Sequence, residues 1–117
     1  MTPAPIKPLV NAKSLEALDI RIGTIVLVED VTKSSRLVRL TVDFGDHRRR
    51  VIAGLKTERE EPREIQGRQA LFVVNLEPRA IMGEVSEAML FDIGSADGIV
   101  PALAVPERMV PNGARAG

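Results

Sequence analysis

Cysteine, tryptophan and tyrosine are all absent from this sequence of 117 residues. Without cysteine there is no disulfide, no thiolate zinc site and no thiol nucleophile, which fits a reducing compartment. Histidine occurs once, as His47 beside a turn signal. One imidazole cannot supply a His-based metal set, and nothing around it suggests a Ser–His–Asp arrangement, so His47 reads as an exposed turn residue. No glycine-rich phosphate cradle of the P-loop or dinucleotide-binding kind occurs. No run of about 18 apolar residues occurs, so no membrane-spanning helix is expected. Residues 1–10 lack the apolar core of a signal peptide. These absences lead to the expectation of a cytoplasmic protein that is not an enzyme, has no cofactor or metal, and does not act at a membrane.

Net charge is missing too, since 16 basic residues balance 16 acidic ones. Polyanion binders commonly carry an excess of Lys and Arg, because phosphate neutralisation drives their affinity. Any nucleic-acid contact here must come from a local basic face. The mixed run at 56–66, in which Glu58, Glu60, Glu61 and Glu64 alternate with Arg59 and Arg63, reads as a solvated helix face and not as a catalytic carboxylate pair.

What is present is β patterning with frequent turns. Pro3, Pro5 and Pro8 mark a flexible tail over 1–13, ahead of a folded domain over 14–117. Residues 14–18 predict one helical turn capped by Ser14. A strand is predicted over 19–30, with Gly23 as the site of a bulge. Alternation of Val38, Leu40, Val42 and Phe44 predicts a half-buried strand over 37–44. A turn at Gly45-Asp46 leads into a returning strand over 48–53. A helix is predicted within 56–66, with Pro62 at a first helical position and Gly67 as its stop. Further strands are predicted over 69–76, 87–93 and 99–105. A short helix between the third and fourth main strands favours an all-β OB-fold, a five-stranded Greek-key barrel with short helices and terminal extensions, over a sandwich.

Two basic features stand out, Arg48-Arg49-Arg50 and the set Lys33, Arg36 and Arg39. In a strand, Arg48 and Arg50 share one side and Arg49 takes the other. The arginine triplet reads equally as ordinary strand-edge charge or as a phosphate-contacting patch, whereas Lys33, Arg36 and Arg39 mean little singly and together are placed to line one lip of a barrel. Phe44, Phe72 and Phe91 sit at apolar strand positions and read as core. Single-strand binders stack bases on exposed aromatics. With few to offer, this chain is suited to the backbone and shape of a folded RNA.

The order Asp19-Ile20-Arg21-Ile22-Gly23-Thr24-Ile25, Leu40-Thr41-Val42-Asp43-Phe44-Gly45, Val51-Ile52-Ala53-Gly54-Leu55, residues 73–90 and Val110-Pro111-Asn112-Gly113-Ala114 resembles the tRNA-binding domain family. That family includes the C-terminal domain of methionyl-tRNA synthetase, a stand-alone structure-specific tRNA-binding protein and the chaperone CsaA. The resemblance covers about residues 15–114 and is most specific over 75–89. It implies an OB-fold homodimer that binds the outer corner of folded tRNA. It carries RNA contact onto Ser86 and Met89 of the Ser-x-x-Met element, onto Asn75 and Arg79, and onto Lys33 and Arg36 of the first hairpin. A hydroxyl at Ser86 can bond phosphate or a 2′-OH, and Arg79 can grip phosphate with two donors. Met89 offers a soft apolar surface or a core side chain.

Three positions depart from the family pattern. Glu77 and Ala80 stand where RNA-binding members commonly have Lys, and Ala88 replaces a frequent Gly. The implied partners are tRNA, a second copy of the chain and, acting in trans, an aminoacyl-tRNA synthetase. The alternative is a CsaA-like module for unfolded polypeptide. The dimer is expected to form through 15–18 and 99–110, with the cations gathered along one barrel rim.

Overall fold

The computed structural model describes residues 2–117. Its organising element is β1 (Ile20–Asp30), long enough to serve two neighbours. The first half, Ile20 to Thr24, pairs antiparallel with β4 (Gln69–Val73), and the second half, Thr24 to Asp30, pairs with β2 (Val38–Asp43). A register shift between Ile25 and Leu27 bends the strand between these halves. One extra residue coils a strand in this way. The bulge therefore lies after Gly23 and not at it. Gly23 answers a different need: a Cβ there would come within 2.5 Å of Val42 Cγ1 and 2.8 Å of the Phe44 ring. The missing side chain lets β1 close onto the interior.

Beyond β2 lies β3 (Arg48–Ala53), in full antiparallel register from Val38↔Ala53 to Asp43↔Arg48. The sheet order is β3-β2-β1-β4-β7, where β7 is Met89–Leu90. Val38, Leu40 and Val42 point inward and are buried with Ile25, Val28, Val51, Leu55, Ile65 and Phe72. Fully burying each such side chain contributes about 1.5–3 kcal/mol. Phe44 meets Phe72 edge-on at 5.5 Å. Phe91 is only half-buried, so two of the three phenylalanines form core.

The barrel closes without a regular ladder. The Glu87 amide donates to Arg50 O at 2.8 Å, and the Arg50 amide donates to Glu87 Oε1 at 2.9 Å. Arg49 crosses the same seam, donating to Val74 O at 2.5 Å, to Glu87 O at 3.2 Å and to His47 Nε2 at 3.0 Å. The architecture is the expected all-β OB-fold barrel.

The short elements depart from sequence expectation. The N-terminal helix α1 is Ala12–Glu16, and Asn11 caps it by accepting from the Ser14 amide, so Ser14 is not the cap. The charged segment forms two 3₁₀ turns, Leu55–Thr57 and Pro62–Ile65, instead of one helix. Pro62 pushes Glu61 to φ −126 and ψ 87, out of the helical region, which interrupts the run. The strand predicted over 87–93 is divided into β7 and β8 (Asp92–Ile93), and that over 99–105 shrinks to β9 (Ala102–Leu103), which pairs with β8. The last strand, β10 (Arg115–Ala116), runs along Ile20 and Arg21 on the edge of β1 that β2 leaves free.

The closing Val110-Pro111-Asn112-Gly113-Ala114 segment is a strap. Gly113 and Ala114 exchange backbone bonds with Ile22. Asn112 Oδ1 accepts from Thr24 Oγ1 at 2.8 Å and from Gln69 Nε2 at 2.9 Å. This gives the buried Gln69 amide its partners, as a polar group at such a site requires.

Candidate nucleic-acid interface

A hairpin on the outer face of the barrel shapes the site. It joins β5 (Arg79–Ile81) to β6 (Glu84–Ser86) through Met82-Gly83. Both turn residues have positive φ, 49° and 80°, as a two-residue type I′ turn requires. The preceding Pro78 stops the central sheet from continuing through this point. Three contacts seat the hairpin. Ile81 packs on Val31, Leu37 and Ile52, a small second core outside the barrel. Glu84 Oε1 accepts from Arg39 Nε at 2.6 Å. Ser86 Oγ accepts from the Ile52 amide at 3.0 Å and donates to Ala88 O at 2.9 Å.

Between hairpin and barrel opens a cleft of about 270 Å³. Its lining includes Ile52 to Gly54, the apolar Leu76 and Met89, the cation Arg79 and the acids Glu77 and Asp92. Arg36 reaches the border, since its Nη1 lies 3.1 Å from where a Cβ on Gly54 would sit.

Of the six residues assigned to RNA contact, Arg79, Ser86 and Met89 share this cleft, with Arg36 beside it. Met89 is 46% exposed and Ser86 only 8%. The Ser86 hydroxyl spends its one donor and one of its two acceptor sites inside the protein. Lys33 is exposed on the loop between β1 and β2, which Lys56 pins by donating to Ser34 O at 2.6 Å and Val31 O at 3.1 Å. Asn75 is elsewhere. Its Oδ1 accepts from the Asp19 amide at 2.7 Å and its Nδ2 donates to Ala17 O at 2.8 Å, fastening α1 to the barrel end.

Among the described residues, the cations do not form one continuous stripe. Arg39 is neutralised by Glu84 and Arg21 by Asp19. The Arg21 hydrogen bond also holds the Asp19 carboxyl below its ordinary range. Arg48 and Arg50 lie exposed on one face of β3 while Arg49 turns to the seam, as alternation predicts. Arg68 and Arg108 border a separate depression, and Arg115 lies near α1. The cleft itself is mixed in sign.

One pair of groups escaped sequence reading. The Glu58 carboxyl meets that of Asp92, and its pKa is pushed up to about 6, first by burial and then by the charge and hydrogen bond of Asp92, against a smaller opposing pull from Arg59. The sequence separates these residues by more than thirty positions, and only the fold joins them.

The family model described as "Putative tRNA binding domain" matches residues 20–115, the span from β1 to β10. The chain belongs to this family. A methionine–tRNA ligase of Chlorobium chlorochromatii (strain CaD3) is 37% identical over 92 residues, which is 79% of this chain but 13% of the ligase. The chain thus spans about an eighth of the length of that relative. The crystal structure of a MetRS related protein from Pyrococcus horikoshii superposes with a TM-score of 0.86 at 29% identity, covering 95% of this chain and all of that one. The chaperone CsaA from Bacillus anthracis str. Ames gives a TM-score of 0.81 at 29% identity, covering 94% of this chain and all of that one. As a member of the tRNA-binding domain family, the chain has both kinds of relative as full-length structural counterparts.

Proposed function

We propose that this tRNA-binding domain holds folded tRNA against the β5–β6 cleft, without chemistry of its own, as a homodimer in the cytoplasm. The observation that carries the reading is the convergence of Arg79, Met89 and Arg36 on one cleft beside an exposed hairpin. Arg79 and Arg36 supply phosphate contacts, and Lys33 extends them along the neighbouring loop. Met89 and Leu76 supply the apolar surface against which a ribose or base edge packs. Ser86 and Asn75 act by fixing the hairpin and α1. With Glu77 and Asp92 in the same cleft, recognition relies on surface fit and few phosphate contacts, so its salt dependence is shallow. His47 is engaged by Asp46 and Arg49 on the surface, which suits a structural role. Exposed Leu15 of α1 and Leu18 just after it, with Ile99 and Val105, supply apolar surface for a second copy. The marked likeness to a methionine–tRNA ligase segment supports service in trans to such a synthetase.

Gel-shift titration of the full chain with total tRNA at low salt tests the proposal. Retention at micromolar protein is expected, and no retention would end it. A second reading is the capture of unfolded polypeptide. It is favoured by Met82, Val85, Met89 and Leu76, all exposed around the same hairpin. Suppression of aggregation of a heat-unfolded client, undiminished by added tRNA, would favour that reading.

A further inference from the structure

Resting on the tRNA reading, we propose that the outer face of β3 extends the site, with Arg50 and Arg48 seating two successive RNA phosphates beyond the cleft. Alternation puts Arg48, Arg50 and Ile52 on one face of this strand. Ile52 lines the cleft and packs against Ile81 of the β5–β6 hairpin. Arg50 and Arg48 follow it outward along the strand, and both are exposed. Residues two apart on a strand are separated by about 6.5 Å. That is comparable with the separation of neighbouring phosphates along an RNA strand. A backbone leaving the cleft along β3 meets the two guanidiniums in turn.

Among the described residues neither guanidinium has an ion-pair partner, unlike Arg21, Arg39, Arg59 and Arg108. The neighbouring acids are committed to backbone amides. Asp43, opposite Arg48 in register, accepts from the Gly45 amide at 2.8 Å. Glu87 accepts from the Arg50 amide at 2.9 Å. Opposite Arg50 stands Thr41, with Leu27 beyond it, so the middle of this face carries no acid. Both arginines therefore keep their side-chain donors free for an incoming phosphate, which a guanidinium grips in bidentate fashion. The cleft is different. There Arg79, with Arg36 at the border, is balanced by Glu77 and Asp92. The cleft holds RNA by fit, and β3 adds donors that no protein acid occupies.

The strand that presents these donors is fixed. Arg49, turned the other way, donates to Val74 O at 2.5 Å and to Glu87 O at 3.2 Å. Ser86 Oγ accepts from the Ile52 amide at 3.0 Å. With the backbone tied on both sides of Arg50, only the two side chains lose freedom on binding, which keeps the entropic cost low. Two cations at a fixed spacing follow the path of a backbone and carry no base sequence.

The test is tRNA binding by the full chain over a salt series. Arg48→Ala and Arg50→Ala leave the backbone bonds of β3 in place, and thermal unfolding verifies that the variants fold. Each should reduce the salt slope by about one unit, and the double variant by about two. Between about 50 mM and about 200 mM salt, wild-type affinity should then fall about tenfold further than that of the double variant. Arg48→Lys with Arg50→Lys should retain most of the slope. Arg68→Ala removes an exposed cation from a separate depression and should leave the slope nearly unchanged. The β3 track is overturned if Arg48→Ala and Arg50→Ala keep the wild-type slope, or if Arg68→Ala lowers it equally. It is also overturned if the β3 variants lose capture of unfolded polypeptide and not of tRNA. Should Arg79→Ala weaken tRNA binding while the β3 variants do not, the cleft reading stands and the track falls. Absence of tRNA binding at every salt concentration removes both.

Discussion

Ser86 Oγ accepts the Ile52 amide at 3.0 Å, so one hydroxyl replaces a rung of ladder between the β5–β6 hairpin and the edge of β3. The same hydroxyl donates to Ala88 O. A residue assigned to RNA contact from its motif therefore acts as a clasp, and the cleft depends on it for its shape.

Ser86→Ala should strand the buried Ile52 amide and the Ala88 carbonyl. An unsatisfied buried donor costs about 1–3 kcal/mol, and urea unfolding should report a loss of that size. Hydrogen exchange at the Ile52 amide should accelerate. Unchanged stability would show that the hairpin is held by Ile81 and Glu84 alone.

Gly113 adopts φ +89°, and a Cβ there would approach Phe44 O to 2.4 Å. Gly113→Ala forces both backbone strain and a steric clash with a carbonyl that cannot step aside. The cost should be about 1–3 kcal/mol, seen as a lowered Tm with the fold otherwise intact. Gly67→Ala is the comparison: φ is +91° there but no atom lies within 4 Å, so its loss should be smaller.

Charge variants at the cleft should act in opposite directions. Arg79→Ala should weaken tRNA binding and reduce the salt slope by about one unit, as expected for one lost phosphate contact. Glu77→Lys should tighten binding and steepen the slope. Filter-binding isotherms over a salt series distinguish these outcomes from a change in folding, which leaves the slope alone.

Stability should carry the mark of Glu58. Its folded value, about 6, lies above the ordinary 4.5, so the folded state binds more protons between those values. This group's contribution to unfolding free energy therefore falls as pH rises through that window. Asp19 works the other way: Arg21 lowers its value below 3.8, so its stabilisation is present above that range and is lost in acid. Glu58→Gln should flatten the decline between about pH 4.5 and 6 while leaving the acid limb, as urea midpoints across pH would show.

The sequence made the main strands legible because their side-chain period is strict. Val38, Leu40 and Val42 alternate with polar residues, and the buried face follows. Gly23 stands out within a strand run, but its reason, closeness to Val42 and Phe44, lies in residues that only the fold brings near. The segment 56–66 has helical composition, yet Pro62 acts on the residue before it and leaves 3₁₀ turns. The motif over 75–89 points to Arg79 and Met89. That Glu77 and Asp92 would share their cleft, and that Asn75 would face α1, depended on long-range closure that no local pattern encodes.

The central claim is that RNA docks at the β5–β6 cleft, and backbone NMR mapping of the labelled full chain with tRNA tests it most directly. Docking at this cleft should place the largest shift changes at Ala53, Gly54, Arg79 and Met89, with the border at Arg36. Changes confined to α1 and β10, or to the Arg68 and Arg108 depression, with the cleft silent, would contradict it.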